Sequence, residues 1–91
     1  GGSQNEVHLS EEFKDQVLAL AEKIEELSQD VETEREDIAF EISKIKLGLQ
    51  RDESPKFIKS AFNAIKGIAS SIAANEITEV INNSLQNINF Q

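Results

Sequence analysis

The 91-residue chain contains no Cys, Trp or Tyr and a single Pro. Without Cys it can form no disulfide, thiolate nucleophile or zinc–thiolate site, and this absence suits a reducing, cytoplasmic setting. Five Phe are the only aromatic residues. The apolar material is therefore Ile, Leu, Val and Ala, which suits helix seams better than a thick globular core. The lack of a strand pattern and of a glycine-rich loop leaves nucleophilic and nucleotide-binding chemistry without their parts. The one His, His8, sits in a poorly patterned N-terminal arm, and a single His without Cys is a poor basis for a metal site. No apolar run approaches the roughly 18 residues that a membrane span needs. We accordingly expect no catalytic, cofactor-binding or metal-ligating residues, no cofactor, and no enzyme.

What is present is short and acidic. A chain of this length makes one domain, burying only about 60–65% of its unfolded surface, so the core is small. Gly1, Gly2 and Ser3 read as a cloning remnant, and residues 1–9 as a flexible arm. The net charge of −8 is unevenly placed: residues 1–54 hold 15 acids and 6 bases, whereas residues 55–91 hold 2 acids and 3 bases. Such a chain repels nucleic-acid phosphates, so no nucleic-acid partner is expected.

Punctuation and spacing divide the chain into helices. Ser54 followed by Pro55 is an N-cap with proline at the first helical position, and Ser10 before Glu11 and Glu12 is a second start. Gly48, after Lys44 and Lys46, reads as a helix stop, making Gly48–Glu53 a connection between antiparallel neighbours. Phe13, Val17, Leu20, Ile24 and Leu27 step by 4, 3, 4 and 3, a coiled-coil seam. Ile38, Ile42, Ile45 and Leu49 continue it in phase across the polar stretch Ser28–Asp37. The kept phase and the lack of Gly or Pro favour one long helix over about 10–47; the alternative is a turn, with Thr33 and Glu36 forming a capping box. In the second half, Ile58, Ala61, Phe62, Ile65, Ile68, Ala69, Ile72 and Ala73 share one face. After Ala74 the apolar direction rotates by roughly 120° to Ile77, Val80, Ile81, Leu85 and Ile88. This gives helices at about 55–74 and 76–87, a single helical domain over 10–88 and a frayed tail at 89–91.

Two features invite a functional reading. The acidic face over 25–37 lacks the mid-loop Gly of a calcium loop and the Glu-x-x-His pairs of a di-iron bundle. It reads first as a solvated face and second as a docking site for a basic partner. The segment KFIKSAFNAIKGIASSIAA, residues 56–74, carries three Lys, a broad apolar face and small residues at Ala61, Ala64, Gly67, Ser71 and Ala73. This pattern fits close helix packing and, as an alternative, action at a membrane interface.

Residues 42–81, with SPKFIKSAFNAIKGIASSIAANEITEVI inside, resemble a helical segment of bacterial abortive-infection and related phage-defence proteins. That resemblance implies an accessory or assembly module and brings no catalytic motif. The length and helix–turn–helix plan are also similar to the small helical-hairpin proteins of type VII secretion. The Trp-x-Gly turn of that family is replaced here by Lys46-Leu47-Gly48-Leu49.

The expectation is thus an all-α fold, an antiparallel helical hairpin extended to a three- or four-helix bundle and completed in an oligomer. Its function would be protein–protein interaction or self-assembly. The partner would be a second copy or another helical protein, with a membrane as the alternative. The contact residues would be Phe13, Leu20, Ile24, Phe62, Ile65 and Ile72, with Ile77, Val80, Ile81 and Leu85 forming a second stripe left unpartnered within the hairpin.

Overall fold

A computed structural model of the protein describes residues 9–90; His8, the rest of the arm before Leu9, and Gln91 lie outside the described residues. Four helices follow one another: α1 (Glu11–Ser28), α2 (Arg35–Gln50), α3 (Pro55–Ser71) and α4 (Asn75–Asn87). The connections are too short to cross the molecule, so consecutive helices run antiparallel. Each helix packs against its chain neighbours, and α4 returns to α1, closing a four-membered ring. One apolar core fills the ring. The protein is an all-α four-helix bundle, 48 × 23 × 18 Å.

Both serine caps form as their residue types dictate. The Ser10 side chain accepts from the Phe13 backbone N–H at 3.0 Å, and the Ser54 side chain from that of Phe57 at 3.2 Å, with Pro55 opening α3. Each cap satisfies a backbone donor that the helix start leaves open, an interaction typically worth about 1 kcal/mol.

The long first helix does not form. The chain turns between Ser28 and Arg35, with Val31 N–H donating to Ser28 O at 2.9 Å. Thr33 is not the cap: Glu34 occupies that position and makes no side-chain cap bond. Like charges four apart, Asp30/Glu34 and Glu32/Glu36, weaken a helix here, and only Val31 offers apolar anchorage. Folding back lets Ile38, Ile42, Ile45 and Leu49 pack with Phe13, Val17, Leu20 and Ile24, all at most 8% exposed. Burial of that many side chains outweighs the continuity of one helix. The phase shared across the turn therefore does not mark one continuous helix.

The other two corners share a design. After α2, Glu53 N–H reaches Gly48 O at 2.9 Å and Asp52 N–H reaches Leu49 O at 3.4 Å, with Asp52 at φ 53°. After α3, Ala74 N–H reaches Ala69 O at 2.8 Å and Ala73 N–H reaches Ser70 O at 3.2 Å, with Ala73 at φ 57°. Both are Schellman turns, with non-glycine residues in the left-handed position. Gly48, expected to stop α2, therefore lies within it, and the stop is Asp52. The absent Gly48 side chain has another use: a Cβ there would sit 3.0 Å from Ile58 Cδ1 and 3.1 Å from Phe57 Cε1. Glycine lets the first turn of α3 approach α2.

Both ends of the described segment, Leu9 and Phe90, pack on the core. The Leu9 N–H lies 3.4 Å from Asp52 Oδ1, which is also 3.2 Å from Lys14 Nζ. The expected frayed tail is anchored as far as Phe90. Asn82–Asn87 is helical, Ile88 is buried, and the Phe90 ring meets Phe13 and Phe62 edge-on at centroid distances of 5.4 and 6.4 Å. Apolar contact and edge-to-face aromatic geometry outweigh the polar composition of this segment.

Candidate interaction surface

The residues singled out for contact with another chain go into the bundle's own core. Phe13, Leu20, Ile24, Phe62, Ile65, Ile77 and Ile81 are buried, while Val80 and Leu85 are half-buried and packed against them. Ile72 is half-buried at the end of α3. The stripe after Asn75 is thus partnered: α4 lies between α1 and α3, and Ile77 and Ile81 are at most 1% exposed. The rotated apolar direction is what lets α4 face the same core after a tight turn. Of the small residues expected to allow close approach, only Ala61 is buried in the core. Ala64, Gly67, Ser71 and Ala73 are exposed, and nothing lies within 4 Å of a Cβ added at Gly67.

Among the described residues, three large apolar side chains remain outside: Phe40 at 64% exposure, Leu47 at 45% and Phe57 at 38%. At about 100° per residue, Phe40 and Leu47 lie about 20° apart around α2 and about 140–200° from Ile38, Ile42, Ile45 and Leu49. They project from the face opposite the core. Phe57 belongs to α3, but its ring rests against Gly48, the chain neighbour of Leu47. The three side chains make an apolar ridge along the outer side of α2 and its edge with α3.

Charge surrounds this ridge in a definite order. Exposed Glu36 and Asp37 stand in the first turn of α2, where the helix dipole favours anions. Lys44 sits between Phe40 and Leu47, its Nζ 5.8 Å from the Phe40 ring centroid and 3.2 Å from Glu41 Oε1. That carboxylate oxygen is buried and has no well-formed hydrogen bond; the nearby ammonium supplies compensating charge instead. Arg51 is exposed at the far end. Sequence reasoning missed Phe40 and Leu47, whose signal was their position opposite the seam that the same helix carries.

The acidic residues of 25–37 gather at the end of the bundle where α1 turns into α2. Glu25 pairs with Lys46 of α2 at 2.9 Å, an exposed bridge of the kind worth at most about 1 kcal/mol. The Glu34 carboxyl is held above its ordinary value, chiefly by a hydrogen bond with Asp37, with partial loss of hydration and the Asp37 charge acting the same way. Beside these groups an open cleft of about 680 Å³ lies between the α1–α2 connection and the α3–α4 turn, walled by Leu27, Val31, Ile72 and Ile77. Asp30, Glu32 and Glu76 are on its rim. Among the described residues, no three His, Cys, Asp or Glu come together as a metal site.

No family model, curated protein or solved structure matches the chain.

Proposed function

We propose that this protein is a non-enzymatic protein–protein interaction module whose contact surface is the outer ridge of α2 with Phe57. The observation that carries this reading is Phe40, 64% exposed on a helix that already has a complete core-facing stripe. A large aromatic side chain there contributes nothing to the core, whereas covering it would gain on the order of 1.5–3 kcal/mol. Aromatic residues in apolar patches rimmed by charge are also the usual anchors of contact surfaces. The likeness of residues 42–81 to phage-defence proteins suggests an accessory role in such a system.

The membrane alternative is less well supported. On the apolar face of α3, Ile58, Phe62 and Ile65 are fully buried and Ile68 and Ile72 half-buried, so the centre of that face would reach a bilayer only if the bundle opened. Among the described residues no helix is long and apolar enough to cross a membrane. Nor does a ring of four short helices correspond to the two-helix plan of the secretion hairpins.

The test compares the wild type with a Phe40→Asp, Leu47→Asp double variant. Light scattering reads self-association, and pull-down reads capture of other proteins. A contact that the wild type makes and the variant loses, with the helical circular dichroism unchanged, supports the ridge. Identical behaviour of the two proteins would refute it.

A further inference from the structure

We propose that the ridge of α2 pairs with the same ridge of a second copy of this chain, antiparallel, about a two-fold axis passing between Ser43 and Lys44; this rests on the reading of the ridge as a contact surface. The outward seam of α2 runs Glu36, Phe40, Ser43/Lys44, Leu47, Arg51. Placing two such helices antiparallel with their centres aligned matches each residue with the one equally far from the midpoint. Phe40 then meets the second copy's Leu47 and Glu36 meets its Arg51. Ser43 and Lys44, on opposite sides of the seam, each face their own counterpart beside the axis, the Lys44 charge being offset within each chain by Glu41 at 3.2 Å. The seam is therefore self-complementary in both respects that matter: apolar meets apolar, and acid meets base.

A two-fold interface requires this property, because each residue pair across it occurs twice. The parallel arrangement would stack Glu36 on Glu36 and Arg51 on Arg51, so the charges select the direction. Among the described residues neither Glu36 nor Arg51 has an ion-pair partner within its own chain, so both are available. The acidic end at 25–37 favours no such match with itself. In the antiparallel pairing it is carried away from the axis, towards opposite ends of the dimer.

Light scattering of the intact chain over a concentration series is the experiment, with circular dichroism confirming that each variant stays helical. The wild type is expected to pass from monomer to dimer mass. Phe40→Asp is expected to raise the dissociation constant by at least about 30-fold, because each substitution appears twice in the interface. Glu36→Arg and Arg51→Glu, each alone, are expected to weaken the dimer, and the two together to restore it. Failure of that restoration would overturn the antiparallel register. A wild type that stays monomeric throughout would overturn self-pairing. If that monomer still retained another protein through Phe40, the ridge would remain a contact surface for a different chain; if it retained none, the contact reading would fall with it.

Discussion

Helices α2 and α4 present opposite cases of the same problem. The apolar stripe of α4 looks unpartnered in the sequence because its direction departs from that of α3, yet Ile77 and Ile81 end at most 1% exposed. Helix α2 looks fully accounted for by the stripe Ile38–Leu49, yet Phe40 and Leu47 stand on its opposite face. A rotated stripe after a tight turn shows where the next helix packs, whereas a second apolar stripe on a helix that already has one marks surface left over. The number of apolar residues does not distinguish these cases; their angular position relative to a closed ring does.

Substitutions can break this comparison. The largest effect is expected in α4: Ile81→Ala should cost about 2–5 kcal/mol, since the residue is wholly buried and a cavity would remain. Denaturant unfolding measures this, and a loss under about 1 kcal/mol would mean that α4 is not part of the core. Next, Phe90→Ala should cost about 2 kcal/mol through its two edge-on contacts with Phe13 and Phe62. A thermal melt unchanged by that substitution would show that the tail contributes nothing to stability.

The two helical glycines should respond with opposite signs. Ala at either position improves helix propensity by about 1 kcal/mol. At Gly67, with open space around it, the gain should appear in full, whereas at Gly48 the contact with buried Ile58 should reverse it to a net loss of about 1 kcal/mol. Paired thermal melts read both signs at once. The smallest effect belongs to the ridge: Phe40→Ala, at low protein concentration, should change unfolding free energy by less than about 0.5 kcal/mol. A larger loss would place Phe40 among the residues that hold the bundle together.

Much of the fold was legible in the sequence where local chemistry and burial agree. The Ser10 and Ser54–Pro55 starts, the seam residues from Phe13 to Leu49 and the change of direction after Ala74 all correspond to features of the bundle. The reading was misled where a local signal served a tertiary purpose. Gly48 resembles a helix stop, but its lack of a side chain admits Phe57 and Ile58. The phase kept across Ser28–Asp37 resembles continuity, but a turn between helices frees the phase on either side, as the rotated stripes of α3 and α4 around the same core show. Phe90, in a polar tail, is held by rings distant in sequence. The candidate surface was the least legible part, because Phe40 and Leu47 stand out only once the inward face of α2 is fixed.

The most direct test follows backbone amide chemical shifts of the isotopically labelled wild type as its concentration is raised. The account predicts that concentration-dependent shifts cluster on the outer face of α2, from Glu36 to Arg51, and at Phe57, with the amides of Ile77–Leu85 unmoved. Shifts confined to α4 with α2 silent would contradict it, and would return the contact surface to the stripe that the bundle here keeps for itself.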